Sequence, residues 1–148
     1  MRISVKGRYA LAAVITIAEE ATRSRNVSVN NIAESLGISK IYLEQVFAQL
    51  KKAKLLTSVK GPKGGYQLAK SPSKITAWEV LTALELSLIE KPESTVGDSA
   101  PEIEMALQTL VFEPLDETIK EKLSDITLRN LLDFVEGQDS SRAFMLNM

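Results

Sequence analysis

The 148-residue chain contains no cysteine and no histidine. Without thiols there is no disulfide, no cysteine-ligated iron–sulfur cluster and no nucleophilic cysteine. Without imidazole, ordinary zinc sites and histidine acid–base catalysis go too. An all-oxygen magnesium or calcium site stays open, but no run of acids has the spacing of a dedicated calcium loop. No apolar run approaches the ~20 residues of a membrane span, and Glu19 and Glu20 close the most apolar stretch. The opening residues MRISVKGR lead straight into helix-like sequence, with nothing that reads as a secretory signal. A cytoplasmic chain with no membrane association is expected. No nucleophile–base constellation is visible, so an enzyme is not expected, nor is a cofactor. Internal repeats and low-complexity segments are also lacking.

What is present fits one compact domain plus an extension. Apolar residues at 45% and charged residues at 25% are the proportions of an ordinary soluble protein. The net charge of −1 conceals a strong asymmetry. Residues 1–74 hold thirteen Lys/Arg against four Asp/Glu, a net of +9, and residues 75–148 hold five against fifteen, a net of −10. Such a division suggests a basic half facing a polyanion and an acidic half with another task, although charge alone also fits a merely solvated basic surface.

Along the chain, GRYALAAVITIAEEA (7–21) reads as a helix buried on most faces, with Leu11, Ile15 and Ala18 at helical spacing. After a polar loop, Ser28 precedes VNNIAESLG, a short helix with an N-cap serine and a C-terminal Gly37. Ser39 caps the next helix, KIYLEQVFAQLKKA. Its apolar stripe is Leu43, Val46, Phe47 and Leu50, with Lys40, Tyr42, Glu44, Gln45 and Gln49 off it. A covering helix followed by two helices around a short glycine turn makes a helix-turn-helix unit. Extended residues on either side of KGPKGG (60–65) predict a β-hairpin, a wing with Lys60 and Lys63 at its tip. A tight solvent hairpin with incidental lysines is the alternative.

Thr76 and Glu79 have capping-box spacing and open AWEVLTALEL. Trp78 there is expected in the packing. Residues 90–101 are polar and rich in helix breakers, so a loop is expected. From Glu102 to about Leu123 a second helical region carries an apolar seam of Ile103, Leu107, Leu110 and Val111, extended by Leu115, Ile119 and Leu123, with a kink or break expected near Glu113 because of Pro114. Asp125 or Thr127 caps a last helix, TLRNLLDFVEG, ended by Gly137. The tail AFMLNM is too apolar for a free end and is expected to be tied down or to meet a partner.

The arrangement MRISVKGRYALAA, VSVNNIAESLGIS, YLEQVFAQLKKAKLL, SVKGPKGGYQLA, ITAWEVLTALE resembles the IscR/NsrR/CymR family of bacterial winged-helix regulators (the Rrf type). The match is nearly continuous over residues 1–86 and looser beyond. The resemblance implies a mainly α fold: a winged helix-turn-helix domain of three helices and a two-stranded wing over 1–86, a loop over 87–101, then a dimerisation helix, C-terminal helix and tail over 102–148. It implies a homodimer on double-stranded DNA, with the recognition helix in the major groove, the wing in the minor groove and an inverted-repeat operator.

Carried over residue by residue, DNA contacts fall to Ser39, Lys40, Tyr42, Glu44 and Gln45 at the start of the recognition helix, and to Lys51. Further contacts fall to Lys60, Gly61, Pro62, Lys63 and Gly64 in the wing, and to Ser28 and the amides after it. Capping or solvation is the alternative role for each. Dimerisation falls to Ile103, Leu107, Leu110, Val111, Leu115 and Ile119. Ile41 stands where several relatives carry a small polar residue, and Lys60 where they often carry Arg, which loses a planar fork. Cluster-binding members place three cysteines in the segment matching 90–105. Here it reads EKPESTVGDSAPEIEM, with no thiol. What remains resembles the CymR branch, cysteine-metabolism repressors that lack a cluster and respond through a cysteine-biosynthesis enzyme as partner. Direct sensing of a small molecule, and a module that uses the fold for protein contacts, are the alternatives.

Overall fold

The computed structural model describes residues 3–23, 26–62, 64–91 and 93–146, with only the backbone of Ala143. Helix α1 (Val5–Ala21) starts at Ser4, whose hydroxyl accepts the Gly7 N–H at 3.1 Å. Its buried face is Ala10, Ala13, Val14, Ile17 and Ala18, three of them alanines that let neighbouring helices lie close. Helix α2 (Val29–Leu36) is capped by Ser28 and stopped by Gly37, which adopts φ +67°. Helix α3 (Lys40–Lys52) follows at once. Its stripe Leu43, Val46, Phe47 and Leu50 is wholly buried against α1, α2 and α4 (Ala77–Leu84). Burial of each such side chain contributes about 1.5–3 kcal/mol, so this stripe fixes the orientation of α3 and decides which face is left outward.

The chain leaves α3 through a Schellman turn: the Leu55 N–H donates to Leu50 O at 3.0 Å and the Lys54 N–H to Lys51 O at 2.9 Å. Lys54 occupies the left-handed position, at φ +63°. Strands β1 (Leu56–Val59) and β2 (Gly65–Leu68) then pair antiparallel, Leu56 opposite Leu68 and Val59 opposite Gly65. Gly61 turns the loop at φ +104°, and a Cβ on Gly64 would run into the Val59 carbonyl. Val27, just before α2, pairs with Tyr66, exchanging backbone bonds at 2.9 and 3.3 Å. This added rung fastens the loop-side half of strand β2 to the start of α2.

Thr76 caps α4 by accepting the Glu79 N–H at 3.1 Å; the Glu79 carboxylate is held by Lys70 at 2.6 Å. Beyond the loop, helix α5 (Pro101–Leu107), a π-helical turn (Gln108–Phe112) and α6 (Glu113–Asp125) run on as one helical stretch. The kink or break expected near Glu113 takes the form of an irregular turn: α-helical bonding is interrupted over Gln108–Phe112 and resumes at Glu113, beside Pro114. The wider π turn just before it takes up the irregularity, and Pro114 sits in the first turn of α6, where its missing N–H is tolerated.

Helix α7 (Leu128–Leu146) begins with a reciprocal cap, Thr127 Oγ1 accepting from Asn130 N and Asn130 Oδ1 accepting from Thr127 N. It does not stop at Gly137, where nothing lies within 4 Å of an added Cβ. It continues through Leu146, so the described part of the tail is helical and exposed; Asn147 and Met148 lie outside the described residues. The first turns of α7 return to the winged-helix core. Leu128 and Leu132 are buried there, and the Ala77 N–H bonds Ile126 O at 2.8 Å while the Leu128 N–H bonds Ile75 O at 2.7 Å.

Candidate nucleic-acid interface

With one face of α3 fully occupied by the core, the opposite face is left to solvent. Lys40, Glu44 and Gln45 are exposed along its first two turns, and Ser39 caps it by accepting the Tyr42 N–H at 3.2 Å. Tyr42 is half-buried, its ring edge-on to Tyr9 of α1 at 5.7 Å between centroids and 84° between planes. The α1 ring thereby limits the orientations open to Tyr42. Ile41 stands 72% exposed among these polar neighbours. A departure from the resemblance at this position, it puts a branched apolar side chain on the same face as Lys40, Glu44 and Gln45.

Lys51, at the far end of α3, donates from Nζ to Ser58 Oγ on β1 at 2.8 Å, tying helix to wing. Lys60, Gly61 and Pro62 are exposed at the wing tip, and Gly64 is half-buried beside the Val59 carbonyl. Lys63 lies outside the described residues. Ser28 is half-buried and spends its hydroxyl on the Asn31 N–H at 3.2 Å. Through the Val27–Tyr66 pairing, the amide end of α2 is fixed to wing strand β2 near the loop. Neither Lys40 nor Lys60 has a carboxylate partner among the described residues. Their charge is therefore available to an external anion.

The acidic half presents a different surface. Along Pro101–Asp125, Ile103, Leu110, Val111 and Leu115 are exposed, Leu110 at 75%, while Leu107 and Ile119 are half-buried. Glu104 is turned inward, 9% exposed. Its carboxylate accepts the Thr95 and Val96 N–H groups at 3.3 and 3.1 Å and the Gln108 amide at 3.2 Å. The backbone bond from Val96 and the Gln108 bond hold its pKa below the usual 4.5 against the opposing effect of burial. Glu104 thus pins the 93–100 loop to the start of the long helix.

A buried three-helix core, a helix-turn-helix with one uncovered face and a glycine-turned β-wing define a winged helix-turn-helix DNA-binding protein. The chain belongs to the Rrf2 family: the family model, described as iron-dependent transcriptional regulator, matches residues 3–134. It is 34% identical over 146 residues to the HTH-type transcriptional regulator IscR of Sodalis glossinidius, covering 95% of this chain and 87% of that one. Its fold is similar to that of CymR, the global cysteine regulator of B. subtilis (TM-score 0.75, 30% identity, 90% of this chain and 98% of that chain). It is also similar to T. potens IscR (TM-score 0.72, 35% identity, 93% and 90%). These relatives are transcriptional regulators, not enzymes. No helix among the described residues is long and apolar enough to cross a membrane.

The iron in the family's description does not fit this chain. There is no thiol or imidazole to ligate it. The inward carboxylate in the corresponding segment, Glu104, is occupied by three N–H donors. Among the described residues no three acids gather as a metal site.

Proposed function

We propose that two copies of the chain pair through the apolar face of Pro101–Asp125 and bind one duplex, each laying α3 in the major groove and its wing in the neighbouring minor groove. The observation that carries this is the outward face of α3: Lys40, Ile41, Glu44 and Gln45 stand uncovered on a helix whose opposite side is wholly buried. In the groove, Glu44 accepts from a cytosine amino group, Gln45 pairs with adenine, and Ile41 meets a thymine methyl. Lys51, Lys60, Lys63 and the amides after Ser28 supply phosphate or minor-groove contacts that set position without reading sequence. Two-fold pairing makes the operator an inverted repeat, its half-sites one helical turn or a multiple apart.

The regulated genes, in this reading, are those of cysteine and sulfur metabolism, under repression, with a cysteine-biosynthesis enzyme as signalling partner in the cytoplasm. The likeness to CymR and the lack of any thiol for a cluster support it. Enrichment of genomic fragments by the purified chain, followed by footprinting, tests the whole. Protected inverted repeats beside sulfur-assimilation genes are expected. Asymmetric sites would overturn the paired arrangement, and symmetric sites beside unrelated genes would overturn the cysteine assignment alone.

A further inference from the structure

The geometry points to a phosphate clamp at the junction of α3 and the wing, in which Lys51 Nζ and the Ser58 hydroxyl together hold one backbone phosphate of a bound duplex. The resemblance gives Ser58 no part in binding. The clamp rests on the DNA-binding reading and adds a contact to it. Ser58 stands opposite Tyr66 in the hairpin, and paired residues of an antiparallel sheet project from the same face. The Tyr66 ring lies against Phe47 of α3, 4.6 Å between centroids, so Ser58 is on the side of the wing turned to that helix. Lys51, in the last turn of α3, reaches it with Nζ 2.8 Å from Oγ. Both residues are exposed, so the pair lies open to solvent at the junction.

The bond leaves both groups with donors to spare. Ser58 Oγ accepts from Lys51, which leaves the hydroxyl's own proton, and that proton meets no acceptor among the described residues. Lys51 has three N–H donors and uses one here, and no carboxylate among the described residues neutralises it. An ammonium and a polarised hydroxyl 2.8 Å apart, neither engaged by an acid, suit a single anionic oxygen, and bonds to such an oxygen are of the stronger, charge-assisted kind. A duplex supplies that anion at this spot. A helix in the major groove and a wing in the adjoining minor groove stand on either side of the sugar–phosphate ridge that divides the two grooves. The ridge must therefore cross the helix–wing junction, where Lys51 and Ser58 meet it.

The test is fluorescence anisotropy of the full chain on a duplex it protects in footprinting and on a random-sequence duplex of equal length. Ser58→Ala should weaken binding about threefold per copy, or about tenfold for two paired chains, the usual loss for one hydrogen bond each. The loss should be equal on both duplexes and should leave the salt slope unchanged, because a hydroxyl carries no charge and a phosphate no sequence. Ser58→Thr, which keeps the hydroxyl, should restore the affinity. Lys51→Ala should make the slope shallower by about 1.8 for two paired chains. Replacing the phosphates of the protected duplex one at a time by neutral methylphosphonate should find one position per half-site at which Ser58→Ala no longer matters. Undiminished binding by Ser58→Ala, or an unchanged slope with Lys51→Ala, would overturn the clamp. So would a Ser58→Ala loss confined to the protected duplex and tied to no single phosphate, which would make the bond a strut that sets the angle of the wing. A native chain that binds neither duplex would instead overturn the DNA-binding reading beneath it.

Discussion

Replacing Lys60 with Ala removes one cation from the wing tip and leaves the fold alone, because the side chain is exposed and has no carboxylate partner among the described residues. On duplex DNA each phosphate-neutralising cation contributes about 0.9 to the slope of log affinity against log salt. A homodimer loses two, so the slope should become shallower by about 1.8. Between about 50 and about 200 mM salt, a fourfold rise, the native chain should lose roughly twelvefold more affinity than the variant does. Fluorescence anisotropy on a labelled duplex at several salt concentrations measures both slopes directly. The loss should be similar on specific and random duplexes, since phosphate contacts carry no sequence information. An unchanged slope would remove Lys60 from the interface, and a change of about 0.9 would mean that only one wing engages.

Two further predictions concern the scaffold. Lys54→Gly relieves a non-glycine residue at φ +63° in the Schellman turn and should stabilise the chain by about 1 kcal/mol, read as a Tm rise of roughly 2–4 °C. Gly7→Ala should change stability by no more than about 1 kcal/mol in denaturant unfolding, because moving the flexible Glu85 carboxylate offsets the gain from replacing a helical glycine. Its Cβ would meet Glu85 Oε1 at 2.7 Å and Leu81 Cδ2 at 3.1 Å, displacing the carboxylate that accepts the Ser4 N–H.

The two shifted carboxylates should give opposite pH signatures. Burial, followed by Asp139, raises Glu19, with Arg23 opposing, so its ionisation lowers stability at neutral pH and the loss is relieved as pH falls through its raised pKa. Glu104 is lowered, so its contribution is present above 4.5 and is lost as pH falls through its lower folded value. Unfolding measured from pH 7 downward should therefore find Glu19→Gln more stable than the native chain and Glu104→Gln less stable, each difference shrinking with acid. Equal pH profiles for the native chain and both variants would refute these assignments.

Local chemistry made the winged helix legible. Ser28, Ser39 and Thr76 stand where a hydroxyl must catch the amide three residues on, Gly37 where the chain must turn left-handed, and the stripe of α3 repeats at helical spacing. The features that escaped depend on contacts distant in sequence. Nothing near Val27 announces its pairing with Tyr66, nor near Thr76 its bridge to Thr127. The same holds for Glu85, which reaches the Ser4 N–H across 81 positions. Gly137 misled as a helix stop because a glycine lowers helix stability without ending a helix whose first turns are anchored by Leu128 and Leu132. Pro114 marked the place of the irregularity but not its form: a proline at the start of a new α-helical segment needs no N–H, so the preceding π turn absorbs the mismatch and the helical run continues. At the candidate interface, the lysines and polar residues of α3 stand out by type and spacing; Ile41 stands out in sequence as a departure from the resemblance, and its outward placing emerges from its exposure.

Pairing through the long helix is the claim on which operator symmetry, the doubled salt effect and the use of the acidic half all depend. Sedimentation equilibrium of the native chain and of Leu110→Glu, each with and without a duplex, tests it most directly. The native chain should sediment at twice 16.3 kDa and bind duplex as two chains per site. Leu110→Glu, which places a charge in the middle of the proposed seam, should sediment as a folded 16.3 kDa species with much weaker duplex binding. A native chain of 16.3 kDa that still binds DNA with full affinity would contradict the account.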